Sequence, residues 1–146
     1  MKLVPLIGSG VAGPLGVLHL PRMWLKCILA AKGMLADGYP DLGKGFDAMT
    51  MNALNLTEDE VRNYIRTNLP SYTEFEAWIV EKNGGKIDGA KVAAHNRAVL
   101  QYHHDAETKK AILEEAGLKD DGSMPDAVTL NAIDDFTCFH KWLKSQ

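Results

Sequence analysis

Residues 54–65 read LNLTEDEVRNYI, and this stretch decides the fold class. Thr57 is followed three residues later by Glu60, the reciprocal pairing of a capping box that satisfies two backbone N–H groups at a helix start. Leu56 precedes the cap and Val61 sits four residues into the helix, the spacing of a hydrophobic staple. Val61, Tyr64 and Ile65 then recur at helical intervals, giving one apolar face.

Working outward, the same grammar repeats. In SYTEFEAWIVEKNGG, residues 71–85, Ser71 with Glu74 or Thr73 with Glu76 can cap a helix whose inward face is Phe75, Trp78 and Ile79. Asn83, Gly84 and Gly85 end it. Asp88 opens a helix carrying Val92, His95, Val99 and Tyr102 on one side. Asp105 opens the next, with Gly117 as its stop. KDDGSMPD, residues 119–126, is the clearest loop, and a last helix from Asp126 or Thr129 presents Ile133, Phe136, Phe139, His140 and Leu143 inward. Toward the N-terminus, a segment around Leu42–Leu54 places Phe46, Met49 and Ala53 together. Pro21 suits the first position of a helix that runs through Trp24, Cys27, Ile28, Ala31, Met34 and Leu35 to a stop at Gly38.

Alternating strand patterns and hairpin turns are almost absent. The expectation is a single all-α domain over residues 1–146, a compact bundle of six to seven short helices. Residues 1–20 form an irregular N-terminal arm and residues 21–146 the helical core. Glycines and prolines interrupt the apolar arm too often for a signal peptide. No window reaches the roughly 18 apolar residues of a membrane span.

The composition narrows the function classes. A formal net charge of −3 and no basic run argue against a nucleic-acid partner, since phosphate neutralisation needs clustered Lys and Arg. Cys27 and Cys138 lie within helical patterns and make no disulfide framework, so a reducing cytoplasm is the expected setting. No metal is expected. His95 and His103 share a face but lie two turns apart, roughly 12 Å, while Cys138 and His140 point to different sides. The glycines of GSGVAG, residues 8–13, lack the spacing and strand–helix context of a dinucleotide site.

The chemistry concentrates in HLPRMWLKC, residues 19–27. On a helix begun by Pro21, Arg22 and Lys26 stack one turn apart, with no acidic residue of that helix to relieve their repulsion. Their partners must be solvent, carboxylates from elsewhere or a bound anion; Asp134 and Asp135 are candidates for such a pairing. His19, just outside the helix, can transfer protons near neutral pH. Lys26 could alternatively form a Schiff base if burial lowered its pKa. Trp24 and Cys27 face the more apolar side and read as core or pocket wall. A second cluster, AAHNRAVLQYHH at residues 93–104, offers His95, Asn96 and Tyr102 among small residues that let a helix or ligand come close. The candidate catalytic groups are therefore His19, Lys26 and His95, and the candidate binding residues Arg22, Trp24, Cys27, Asn96 and Tyr102.

These residues carry a resemblance. LGVLHLPRMWLKCILAAKGML, residues 15–35, resembles the start of domain-of-unknown-function family 5069, through Leu20, Pro21, Arg22 and Lys26. The similarity continues through residues 46–66, EFEAWIVEK at 74–82 and AAHN at 93–96. It implies a compact, mainly helical bacterial domain and adds weight to Arg22, Lys26 and Asn96. Trp24, Cys27 and the GKIDG segment at residues 85–89 depart from the family pattern.

Two functions remain open at this point. One is an enzyme without an external cofactor, a lyase or isomerase working by acid–base chemistry on a small anionic organic molecule. The other is a non-catalytic ligand-binding or protein-interaction domain, with a homodimer possible under either reading.

Overall fold

The computed structural model describes residues 1–146, and seven helices account for its regular structure. They are α1 (Leu20–Ala31), α2 (Phe46–Ala53), α3 (Glu58–Asn68), α4 (Tyr72–Lys82), α5 (Gly89–Gln101), α6 (Ala106–Ala116) and α7 (Ala127–Lys144). The fold is all-α, as the capping pattern predicts. No helix is long and apolar enough to cross a membrane.

Local chemistry sets most helix starts. Thr57 and Ser71 each form a complete capping box, with Glu60 and Glu74 respectively. Asp88, Asp105 and Asp126 accept backbone N–H bonds at the starts of α5, α6 and α7. Gly117 ends α6 at φ 73°, a conformation that suits a residue without Cβ.

α1 is shorter than its apolar pattern suggests. It ends at Ala31, and Met34 and Leu35 leave the helix beyond Gly33, which sits at φ 66°. The freed chain pairs with the arm instead: Leu3 N donates to Met34 O at 2.7 Å, and Ala36 N donates to Leu3 O at 3.0 Å. α2 likewise begins only at Phe46, after the glycines at 43 and 45.

Thirteen buried residues from α1 to α5 and their connections, among them Leu20, Met23, Ile65, Phe75 and Ile79, form the main core. The arm is fixed onto this core. Val17 is fully buried, and Gly13 lies so close to α4 that an added Cβ would stand 2.3 Å from Tyr72 Cε2. Glu76 accepts from Leu15 N at 3.2 Å and from Tyr72 Oη at 2.7 Å.

The last helix corrects a sequence expectation. Phe136 is 60% exposed and Leu143 49%, and His140 is also exposed; the buried positions are Ala127, Leu130 and Asp135. An ionic partner inside the fold draws Asp135 inward, and the stripe containing Phe136 and Leu143 therefore turns outward.

Candidate functional site

The three polar residues around the start of α1 are almost wholly removed from water: His19 is 3% exposed, Arg22 7% and Lys26 6%. Charges enter an interior at large desolvation cost unless paired and hydrogen-bonded. Two carboxylates supply the pairing.

Asp47, in the first turn of α2, is the centre of one network. Its Oδ1 accepts from His19 Nε2 at 2.6 Å, and its Oδ2 forms an ion pair with Lys26 Nζ and accepts from Gly43 N at 2.7 Å. Ser9 Oγ lies 3.0 Å from His19 Nδ1. Burial is the largest influence on His19 and, against the pull of Asp47, holds the imidazole below its ordinary value of 6.5. The ring is therefore neutral at neutral pH, with Nε2–H donating to Asp47 and the Ser9 hydroxyl donating to Nδ1. Burial alone would raise the Asp47 carboxyl. The His19 hydrogen bond and the Lys26 charge overcome that, leaving it below the usual carboxylate range.

Ser9, His19 and Asp47 thus line up as hydroxyl, imidazole and carboxylate. Ser9, however, is completely buried and does not line the adjoining recess. Its hydroxyl orients the ring and has no path to a substrate. His19 itself adopts φ 72° immediately before α1, a strained conformation for a non-glycine residue. Its side chain makes no helix cap, because the ring is committed to Asp47 and Ser9.

Arg22 belongs to a second network. It forms a two-pronged pair with Asp135 of α7, Nη1 to Oδ2 at 2.6 Å and Nη2 to Oδ1 at 3.0 Å. Nη1 also donates to the carbonyls of Pro5 and Ile7, at 2.9 and 3.0 Å. Tyr39 Oη donates to Asp135 Oδ1 at 3.1 Å. One of the two acidic residues expected to answer the α1 cations does so, and its neighbour Asp134 does not.

Both networks border a recess of about 500 Å³ between α1, the 38–47 segment, the junction of α5 with α6, and α7. His19, Arg22, Lys26 and Asp47 line it, with Phe46 and Tyr102 contributing an edge-to-face aromatic pair at 5.4 Å. Of the residues singled out from sequence, the structure therefore gathers His19, Arg22, Lys26 and Tyr102.

The others lie elsewhere. Trp24 donates its indole N–H to Pro70 O at 3.0 Å and packs edge-on against Tyr72. Cys27 is buried in the core with its Sγ 3.6 Å from Asp41 O, and burial pushes the thiol up to about 12. Asn96 holds the arm, accepting from Leu18 N at 3.0 Å and donating to Gly16 O at 2.7 Å. His95 is buried, with Nε2 3.0 Å from Leu18 O and 3.3 Å from Thr50 Oγ1. The Thr50 hydroxyl already donates to Phe46 O at 2.8 Å. Both neighbours of Nε2 are therefore acceptors, so Nε2 carries a proton, and Nδ1 is buried with no partner. His95 borders a separate groove of about 300 Å³ between α2 and α5. His95 and Asn96 thus fix the backbone just before His19, away from the larger recess.

Asp47, Ser9 and Tyr39 are the site residues that sequence reasoning missed. The only signal for Asp47 is an acidic residue in a first helical turn, which ordinarily reads as complementing the helix dipole. No three His, Cys, Asp or Glu side chains come together in a way that could hold a metal ion. No family model, curated protein or solved structure matches the chain.

Proposed function

We propose that this chain is a cofactor-independent acid–base enzyme, of lyase or isomerase type, acting on a small organic molecule with an anionic group bound in the recess beside α1. The observation that carries this reading is the Lys26–Asp47 pair. Lys26 Nζ has Asp47 as its one side-chain partner and borders the recess, so it has N–H groups left for a substrate. A buried carboxylate whose pKa is perturbed by charged partners beside a cavity is a candidate reactive group, and Asp47 is one.

In this reading Arg22, locked by Asp135, offers a fixed positive charge to the anionic group. Lys26, the ammonium of its pair with Asp47, donates a proton to the receiving substrate atom in an isomerisation or to the leaving group in an elimination. The amine so formed takes a proton from the substrate carbon next to the anionic group. This restores the ammonium beside Asp47. Both nitrogens of His19 are engaged, so it positions Asp47 and does not meet substrate. The expected cytoplasmic setting belongs to the same proposal and draws support from two unpaired cysteines. So does membership of domain-of-unknown-function family 5069, through Leu20, Pro21, Arg22 and Lys26.

The test is a panel of small carboxylic and phosphorylated acids titrated into the ¹⁵N-labelled protein. Shifts confined to α1, residues 38–47 and α7, lost in the double variant Lys26→Met with Asp47→Asn, support the proposal. Binding unaffected by that variant, or no shifts in those segments, overturns it.

The second reading, a non-catalytic interaction domain, has one feature in its favour. The exposed Phe136 and Leu143, with Phe139 and Trp142 stacked at 5.7 Å, give α7 an apolar outer stripe suited to a protein contact. Concentration-dependent self-association abolished by Phe136→Ser would support it.

A further inference from the structure

We infer that the ligand of the recess is zwitterionic, a free α-amino acid or a close analogue, whose ammonium group is received by Asp134 while its carboxylate meets Lys26 and Lys44. This inference rests on the proposed function and names the substrate class of the same site.

The argument is one of charge accounting within one recess. Asp47 is taken by Lys26, His19 and Gly43 N, and Asp135, behind the wall, by Arg22 and Tyr39. Asp105 is spent on the N-terminus of α6, accepting from Thr108 N at 2.7 Å. Asp134 also lines the recess but enters no hydrogen bond or ion pair. Burial, and then the charge of Asp135 beside it, raises its carboxyl above the usual range. The nearby charge of Arg22 offsets this only in part, so a cation arriving in the recess would favour the ionised carboxylate.

The cations of the recess are also incompletely answered. Lys44 lines the recess with no acidic partner, and Lys26 retains unused N–H groups. A ligand with only an anionic group would satisfy Lys26 and Lys44 and leave Asp134 facing a second negative charge. An amine would satisfy Asp134 and add a positive charge beside Arg22. A molecule with both groups answers Asp134 and the cations together. Phe46, Tyr102 and Met49 give the same recess an apolar surface for a side chain. Its volume of about 500 Å³ accommodates a molecule of amino-acid size.

The test measures binding to the full chain by calorimetry and ¹⁵N shifts with three matched sets: L-amino acids, the corresponding carboxylic acids lacking the amino group, and the corresponding amines lacking the carboxylate. The best L-amino acid should bind about tenfold or more tighter than either truncated partner, the scale of one charge-assisted hydrogen bond. Asp134→Asn should remove that preference over the carboxylic acid and, by taking away the negative charge that faces it, tighten the carboxylic acid's own binding. Carboxylic acids that bind as tightly as their amino counterparts, or an Asp134→Asn protein with an undiminished amino-acid preference, would overturn the inference and leave the anion-binding proposal standing. Failure of every compound to shift the recess would remove both.

Discussion

His19 Nε2 and Asp47 Oδ1 lie 2.6 Å apart with both side chains almost fully buried, and the same carboxylate carries Lys26 on its other oxygen. One carboxylate therefore joins the residue preceding α1, the second turn of α1 and the start of α2. Removing it strands a buried cation. Asp47→Ala should cost about 3–5 kcal/mol of stability in urea unfolding. Replacing Lys26 and Asp47 together by Met and Leu should recover most of that loss, because no uncompensated charge remains. Equal destabilisation by the single and the double variant would show that the network's value lies in shape and not in charge.

Burial of the His19 ring predicts an acid limb. The folded-state pKa of His19 lies below its ordinary 6.5, so below that pH the unfolded chain binds a proton that the folded one refuses. Stability then falls as pH drops through 6.5, at up to about 1.4 kcal/mol per pH unit. Asp47, also depressed, adds a second loss as pH falls below its ordinary 3.8. His19→Gln should flatten the first limb, which begins below pH 6.5, in unfolding measured across pH, and leave the second limb in place.

Gly13 tests how firmly the arm is seated. A Cβ there would meet Tyr72 Cε2 at 2.3 Å and Glu76 Oε2 at 2.7 Å, whereas one at Gly8 meets nothing within 4 Å. Gly13→Ala should lower stability by about 1–3 kcal/mol, as overpacking does, while Gly8→Ala stays within about 0.5 kcal/mol of the parent. Matching melting temperatures for the two variants would mean that the arm is not held against α4.

What sequence made legible follows the range of each interaction. The boxes at Thr57–Glu60 and Ser71–Glu74 span three residues and hold as read, as do the Asp caps of α5, α6 and α7. Arg22 and Lys26 stood out because nothing on α1 answers their charge. Sequence narrows the partner of Arg22 to Asp134 or Asp135, of which Asp135, 113 residues away, is the one, and gives no pointer to Asp47, 21 residues from Lys26. The last helix departs from its apolar period for a related reason. Period alone favours the stripe through Phe136 and Leu143, but the ion pair at Asp135 rotates a different stripe inward. Trp24, Cys27, His95 and Asn96 draw attention in the sequence as polar or polarizable groups in apolar surroundings, and the structure places them outside the larger recess. Such groups hold a fold together as readily as they bind ligands, and only three-dimensional placement separates the two roles.

The thiols give a direct check on packing. Cys27 lies in the main core with its pKa pushed up to about 12, and Cys138 is only partly buried. The thiolate is the reactive form, so a disulfide reagent at pH 8 should modify Cys138 first. Cys27 should react only at the rate of unfolding. Rapid modification of Cys27 in the native protein would contradict the core described for α1.

The Ser9–His19–Asp47 line makes a spectroscopic prediction. With Ser9 donating to Nδ1 and Nε2–H donating to Asp47, the His19 ring should be locked in the Nε2–H tautomer at pH 7.5. Long-range ¹H–¹⁵N spectra of the imidazoles read this directly, since protonated and unprotonated ring nitrogens resonate far apart. Ser9→Ala removes the hydroxyl that supports Nδ1 but leaves Asp47 to hold Nε2–H. The tautomer should therefore survive, while Nδ1 moves toward the shift of an unpaired nitrogen. Asp47→Asn, by contrast, can offer Nε2 either its carbonyl or its amide and should give a mixture of tautomers. A protonated His19 ring at pH 7.5 in the parent protein would refute the charge assignment, and with it the role of His19 as a neutral support for Asp47.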